Sequence, residues 1–269
     1  MNRILFHMEM RRNARSLILW SLIICALIFF TMTFFRSVLQ YQQQIMDMIK
    51  LVPAAALKAR GFGNLEDIFS GLGFYAANNI VYMELLGSIF AMVLCANILL
   101  KEEYGKTAEF LMSWPVGRKE IFLSKLTLAF LNIFLLNLVT ALVGLVSLEL
   151  FKSGAFRIKP YLILTLYTFL LNLLFGACGL LVAALHKRAR PVSSFCVGLV
   201  MVCYFLYTIS RISGVKGDFG YVSPFKWVSI DVLKPDYRVE VWSILLFCAL
   251  TMIMILASFV IYRKKDILT

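Results

Sequence analysis

The sequence predicts an all-α, polytopic membrane protein with six transmembrane helices. Hydrophobic residues make up 61% of the 269 residues and charged residues only 16%, and the mean hydropathy is +0.84. Soluble domains contain about 45–50% apolar and about 25% charged residues, so a soluble core of this size cannot hide so many apolar side chains. A disordered or collagen-like chain needs far more glycine and proline than the 15 and 6 present here. The composition therefore excludes these three classes.

Six apolar runs are each long enough to cross a bilayer as a helix. About 20 helical residues, at about 1.5 Å rise per residue, cross ~30 Å of hydrocarbon. We predict spans at residues 16–35, 80–100, 121–148, 161–185, 192–210 and 241–262. The third run alone is clearly overlong, so we expect that helix to tilt or to extend past the hydrocarbon. The predicted outer loops are 36–79, 149–160 and 211–240.

The distribution of Lys and Arg predicts that both termini are cytoplasmic. Six spans place the two termini on one side of the membrane, and the termini and short loops on that side carry 15 of the 27 cations. The remaining 12 cations are spread over the much longer outer loops. Because cytoplasmic loops are enriched in Lys and Arg, this density predicts a multi-pass plasma-membrane protein. The net charge of +12 is thereby explained by topology, and we expect no nucleic acid partner.

Residues 1–15 show a short amphipathic pattern ahead of the first span. Apolar and basic side chains occupy different faces of a predicted helix, namely Ile4, Leu5 and Met8 against Arg3, Arg11 and Arg12. Such a helix is suited to lying along the lipid of the inner leaflet. The alternative is a charged tail that only sets the topology. The first span is longer than the apolar region of a signal peptide and has no small-residue cleavage site after it, so we expect it to remain attached.

Motifs for metal binding and catalysis are missing from the sequence. The six cysteines all fall inside predicted spans, where they are expected to act as small packing residues. His7 and His186 have no neighbouring Cys or acidic cluster, so we expect no metal site. Gly105-Lys106-Thr107 resembles the end of a phosphate-binding loop, but the glycine required five positions earlier is replaced by Leu100. We therefore expect no ATPase, no bound cofactor and no enzyme activity in this chain.

Polar residues inside the spans bear on the transport hypotheses. The predicted span centres carry no ionisable residue, and Glu84, Lys125 and Glu149 are expected near span ends, within reach of the headgroups. Carriers driven by ion gradients usually keep such charges in the membrane, so this pattern argues against a stand-alone secondary transporter. The central polar residues are Asn97, Asn132, Asn137 and Asn172. Hydrogen bonding between helices is the commoner role for such asparagines, and lining a transport pathway is the alternative.

The loop between the second and third spans has an unusual composition. Residues 101–120 read KEEYGKTAEFLMSWPVGRKE, with charged ends and an apolar middle. Thr107 is a suitable N-cap for a short helix that Pro115 interrupts. We predict a short helix on the cytoplasmic face that offers Phe110, Leu111 and Trp114 to the groove of a partner. A surface helix resting on lipid headgroups is the alternative.

Residues 102–125 resemble the signature of type-2 ATP-binding-cassette (ABC) exporter permeases. The matching features are an acidic pair, Gly, Thr, Glu, Leu, Pro-Val, Arg and a final Lys. Ser124 stands where the family usually has Gly, and Gly117 where Ser is common. The resemblance implies an amphipathic elbow helix at residues 1–15 and a six-helix permease domain at residues 16–269. It also implies a second permease, identical or related, and two separately encoded cytoplasmic ATPases that bind ATP and Mg.

The resemblance also implies roles for individual residues. The short helix would be the coupling helix that docks on the ATPase, and its movement would shift the two permease halves between inward-closed and outward-open arrangements. Glu102 and Glu103 would pair with basic ATPase residues, Gly105 would allow a bend, and Arg118 would form a salt bridge or contact lipid phosphates. The expected coupling residues are Glu102, Glu103, Gly105, Thr107, Glu109, Phe110, Leu111, Pro115, Val116 and Arg118.

Two further sequence features concern packing and cargo. Gly87, Ala91 and Cys95 recur every fourth residue, which predicts a close-packing face within or between subunits. Residues 42–49 combine three Gln residues with Ile and Met, which predicts a helical cap in the outer interface. The charge-poor spans favour an amphipathic peptide cargo of the antimicrobial or toxin type. Ions, drugs or lipids are the alternatives within the family.

Overall fold

The structure is a computed structural model that describes residues 3–50, 69–105, 117–151, 157–186, 192–213, 218–228, 239 and 241–265. Its α-helices are α1 (Arg3–Gln40), α2 (Gln42–Lys50), α3 (Gly71–Asn79), α4 (Gly87–Tyr104), α5 (Arg118–Phe151), α6 (Ile158–Leu185), α7 (Ser193–Ser213) and α8 (Val241–Lys264). A π-helical segment, Ile80–Leu86, joins α3 to α4. Two 3-10 turns, Asp218–Val222 and Pro224–Trp227, lie between α7 and α8.

Among the described residues, six helices are long and apolar enough to cross a membrane, which confirms the predicted all-α fold with six spans. They are Glu9–Gln40, Gly71–Lys101, Arg118–Phe151, Ile158–Leu185, Ser193–Arg211 and Val241–Lys264. The first four contain 32, 31, 34 and 28 residues. The prediction that the third alone is overlong is therefore wrong, because the helices continue well beyond the apolar runs that revealed them.

The first helix has no boundary between the predicted elbow and the first span. α1 runs from Arg3 to Gln40 without interruption, and its sequence contains neither glycine nor proline. No residue therefore breaks the backbone hydrogen bonding at residue 15. The residues predicted to form a separate amphipathic helix are instead the first turns of α1. Their contact with the inner leaflet stays a prediction.

The second and fourth spans form the centre of the bundle. Buried residues make up 72% of the most apolar part of the second span and 61% of that of the fourth, against 11% for the sixth. α4 packs mainly on α6, α1 packs on α5, and α8 also packs on α6. The outermost helices therefore expose the most apolar side chains, as expected for helices that face lipid.

Small residues allow α4 and α6 to approach closely. A Cβ atom added to Gly176 of α6 would lie 3.1 Å from the Cys95 sulfur and 3.9 Å from the Ala91 Cβ. A Cβ added to Gly87 of α4 would lie 2.7 Å from Nδ2 of Asn172. The predicted face of Gly87, Ala91 and Cys95 is thus a packing face within the chain.

The predicted outer cap is helical where the structure describes it. α2 covers Gln42–Lys50, and Met48 exposes 69% of its surface while Ile45 and Ile49 are half-buried. This arrangement fits an interfacial helix with one apolar side turned outward. Residues 51–68 of the same loop lie outside the described residues.

Candidate functional site

One end of the bundle, here called the terminal face, carries both ends of the predicted coupling segment. α4 ends at Tyr104, and the N–H of Gly105 donates to the carbonyl of Lys101 at 3.0 Å, which forms an exposed turn. α5 begins at Arg118, after the carbonyl of Gly117 accepts the N–H groups of Glu120 and Ile121. Glu102 and Glu103 belong to the last turn of α4. The other predicted residues, Thr107, Glu109, Phe110, Leu111, Pro115 and Val116, lie outside the described residues.

Arg118 fastens the start of α5 to the end of α8. Its Nη1 donates to the carbonyls of Arg263, at 3.2 Å, and Lys265, at 3.0 Å. The last carbonyls of a helix lack partners within the helix and carry partial negative charge, so a guanidinium stabilises them. In the described part of the chain, Arg118 thus contacts backbone carbonyls, and its expected salt bridge or contact with lipid phosphates stays a prediction.

Lys125, the final residue of the recognised signature, is buried rather than placed among headgroups. Its side chain is 2% exposed, and Nζ donates to the carbonyls of Ile98, at 2.8 Å, and Leu99, at 3.5 Å. The expectation that Lys125 reaches the headgroups is wrong, because it lies two turns inside α5 on the side that packs on α4. Lys265 makes a similar contact, from Nζ to the carbonyl of Ala183 near the end of α6, at 3.4 Å.

Glu9 joins the first helix to the end of α4. Its side chain is 3% exposed, and its carboxylate oxygens lie 3.5 Å from Nζ of Lys101 and 3.7 Å from Nη1 of Arg12. The sequence does not single out Glu9, because a single acid among several arginines looks like part of a topology signal. No sequence pattern marks the pair, since its members are far apart in the chain and meet only through tertiary packing.

An open cavity lies on the terminal face between the start of α5 and the end of α8. It has a volume of about 570 Å³ and is lined by Gly117, Arg118, Lys119, Glu120 and Arg263. Three of the five lining residues are cationic, so the cavity is basic. It lies directly beside the C-terminal boundary of the predicted coupling segment.

The four predicted pathway asparagines are distributed over three separate contacts. Asn172 donates through Nδ2 to Oδ1 of Asn137 at 3.1 Å, and Oγ of Ser88 donates to Oδ1 of Asn172 at 3.2 Å. Asn97 accepts a hydrogen bond from Ser193 of α7 at 3.2 Å. Asn132 of α5 is fully buried against Met10 of α1, and its Nδ2 donates to the Leu128 carbonyl at 2.8 Å. These bonds include three between helices, as expected for the structural role of such residues.

Glu84 lies inside the bundle, contrary to the expectation that it reaches the headgroups. The second span begins at Gly71 instead of residue 80, so Glu84 is near the middle of the helix and fully buried. Neither carboxylate oxygen has a hydrogen-bond partner among the described residues. Arg211 of α7 interacts with it electrostatically while donating to the hydroxyl of Tyr207 at 2.8 Å.

Comparison with known protein families identifies the chain. The model of the family described as "ABC-2 family transporter protein" matches residues 3–267, which is nearly the whole sequence. A search of curated proteins finds no match. The family consists of non-catalytic membrane components that associate with ABC ATPase subunits. The match, the six spans and the signature at residues 102–125 agree with one another, and the chain belongs to the ABC-2 family as a permease subunit of an ABC transporter.

Proposed function

We propose that this permease exports an amphipathic peptide across the plasma membrane, driven by ATP hydrolysis in two separate cytoplasmic ATPase subunits. A second permease, identical or related, supplies the other half of the pathway. The terminal face is then cytoplasmic, which is consistent with the 15 cations on that side. Residues 102–118 receive the movement of the ATPase through the predicted coupling helix.

The observation that carries this proposal is the set of contacts on both sides of the coupling segment. Lys125 fastens α5 to α4, Arg118 fastens α5 to α8, and Glu9 fastens α1 to α4. Lys265 adds α6 to the same group. A displacement of the segment between α4 and α5 is therefore passed to five helices at once, which is the arrangement a rigid-body transition requires.

The cavity beside Gly117 supports docking at the same place. Its basic lining suits an acidic or polar surface of the ATPase, while Glu102 and Glu103 at the other end of the segment suit basic ATPase residues. The apolar middle of the segment, around Phe110 and Leu111, would fill the ATPase groove. Complementary charge at both ends fixes the orientation of the coupling helix in that groove.

The cargo assignment follows from the charge distribution of the spans. Glu84 and Lys125 are fully or almost fully buried within the chain, so neither presents a charge on the surface of the spans. An amphipathic or hydrophobic molecule suits such a surface better than a bare ion, which needs charged or carbonyl ligands. Ions, drugs and lipids are the other cargo classes to be compared.

Co-expression with a candidate ABC ATPase subunit tests the proposal. We expect the two proteins to co-purify, and we expect inside-out vesicles to take up an amphipathic peptide only with ATP. Glu103→Lys, or Phe110→Ser with Leu111→Ser, should abolish uptake while membrane insertion stays normal. Glu149→Lys is the matched control, because it reverses an exposed charge at the opposite end of α5 and should leave uptake unchanged. Full uptake by Glu103→Lys vesicles would contradict the coupling role.

The buried carboxyl of Glu84 gives one reason to test a stand-alone secondary carrier. Ion-driven carriers keep ionisable residues inside the membrane, and Glu84 has this position. Such a carrier would lose transport when the ion gradients are collapsed and would ignore deletion of the ATPase. We expect the reverse result, in which ionophores leave uptake intact and ATPase deletion removes it.

A further inference from the structure

The ion pairs of Glu9 differ in how strongly they hold the carboxylate. The Glu9 side chain is 3% exposed, whereas Arg12 is 49% exposed and Lys101 is 24% exposed. Neither carboxylate oxygen accepts a hydrogen bond within the part of the chain that the structure describes. A buried carboxylate is costly unless it is paired, so these two cations are what keeps it in place.

Lys101 is the partner that matters for the relation between helices. Arg12 lies three residues further along α1, so its pair with Glu9 stays within one helix and is largely solvated. Lys101 belongs to the last turn of α4, directly before Glu102. The Glu9–Lys101 pair therefore joins α1 to the point where the coupling segment begins.

α1 is also attached at a second place, further along the helix. Thr31 and Tyr82 share a hydrogen bond of 2.8 Å between their hydroxyl groups, and Tyr82 belongs to the π-helical segment of the second span. From Glu9 to Thr31 the uninterrupted helix rises by about 33 Å at 1.5 Å per residue. A π-helical turn departs from regular helix geometry and is often found at functional positions. α1 thus connects the coupling segment to the irregular turn of the second span.

We propose that Glu9 is a positioning residue for ATP-driven transport, which fastens α1 to Lys101 so that displacement of the coupling segment moves α1 as a rod. This proposal rests on the coupling role assigned to residues 102–118. It assigns to α1 the transfer of movement from the terminal face to the π-helical segment. Glu9 itself contacts neither cargo nor nucleotide.

The movement of α1 is measurable in the complete complex of permease and ATPase. Spin-labelled amino acids at Tyr41 and Val222, which are 51% and 68% exposed, report the distance between the far end of α1 and the loop after α7. Adding ATP and vanadate to the wild-type complex should shift this distance. Glu9→Gln should reduce the population of the shifted distance about fivefold or more, in the range of coupling between linked sites. The amount of bound ATPase should stay the same.

Two sets of variants test whether the effect of Glu9 depends on its attraction to Lys101. Arg12→Gln is the matched control, because it removes the exposed partner only, and it should keep the wild-type shift. Glu9→Lys with Lys101→Glu, made in the Arg12→Gln background, restores opposite charges and should recover most of the shift. The exchange restores the attraction between positions 9 and 101, so failure of rescue overturns the proposal.

The remaining outcomes distinguish this proposal from the proposed function. The role of Glu9 is refuted, and ATPase coupling stands, in either of two cases. In the first, the wild-type complex hydrolyses ATP but the distance between the labels does not shift. In the second, the Glu9→Gln complex shows the same shift in distance as the wild type. If the permease binds no ATPase, the coupling function fails, and the role of Glu9 fails with it.

Discussion

Gly179 offers a sharp test of the packing between the central helices. A Cβ at Gly179 of α6 would collide with the carbonyl oxygen of Met92 and would lie 3.0 Å from its carbonyl carbon and 3.1 Å from its Cα. These atoms belong to the backbone of α4, so no side-chain rotation removes the clash. α4 and α6 would have to separate by roughly 1 Å to reach ordinary van der Waals contact. The substitution Gly179→Ala should therefore destabilise the bundle.

The size of the effect follows from two opposing contributions. Overpacking of a close-packed core costs about 1–3 kcal/mol, and a rigid backbone neighbour favours the upper end. Replacing Gly by Ala within a helix contributes about 1 kcal/mol in the opposite direction. The net loss for Gly179→Ala is about 2 kcal/mol, which lowers the Tm by about 4–8 °C for a protein of this size.

Thermal unfolding in detergent micelles, followed by circular dichroism, measures this change. Gly198→Ala is the matched control, because Gly198 lies in α7 and a Cβ there meets nothing within 4 Å. The control should keep or slightly raise the Tm, because the higher helix propensity of Ala adds up to about 1 kcal/mol to the free energy of unfolding. If Gly179→Ala is as stable as the wild type, the close contact of α4 with α6 does not exist in the protein.

Three further substitutions test the polar contacts. Glu84→Met should raise the free energy of unfolding by about 1–3 kcal/mol, because it removes a buried carboxyl that has no described hydrogen-bond partner. Thermal unfolding measures the gain, and a Tm below that of the wild type would refute the prediction. Asn172→Leu breaks the bond to Asn137 and should cost about 1–3 kcal/mol by the same measurement, since Asn137 loses a buried partner; an unchanged Tm would refute the contact. Arg118→Met should remove the hydrogen bond to the carbonyl of Lys265. The end of α8 should then open more often, so that trypsin cleaves it faster. An unchanged cleavage rate would show that Arg118 does not stabilise this end of α8.

The six spans were predictable because their apolar runs are dictated by the bilayer itself. Each helix needs about 20 apolar residues to cross the hydrocarbon of the bilayer, so the apolar runs of the sequence locate the spans. The ends of the spans were harder to predict, since the helices continue past the apolar runs that mark them. The second span shows this, because its start at Gly71 precedes the predicted start by nine residues.

The error at that boundary explains the error at Glu84. A span beginning at residue 80 places Glu84 near its end, whereas a span beginning at Gly71 places it near the middle. Lys125 illustrates a different difficulty, because its position along α5 was predicted but its direction toward α4 was not. Contacts of this kind depend on how two helices are rotated, which a single apolar run does not encode.

Part of the candidate site was accessible from the sequence and part was not. The signature at residues 102–125 predicted the family, and the family match at residues 3–267 agrees with it. The coupling role of this segment stays a prediction. The spacing of Gly87, Ala91 and Cys95 predicted the close face of α4. Glu9 and Lys101 are 92 positions apart in the sequence, and only the packing of α1 beside α4 brings their charges together.

The central proposal is that a separate ATPase subunit binds the segment between α4 and α5. A photo-crosslinking amino acid in place of Phe110, in the co-expressed complex, tests this contact most directly, with Tyr41 at the far end of α1 as the control position. We expect a covalent adduct with the ATPase from position 110 and none from position 41. ATP-dependent uptake in a complex that gives no ATPase adduct from any position between 106 and 116 would contradict it.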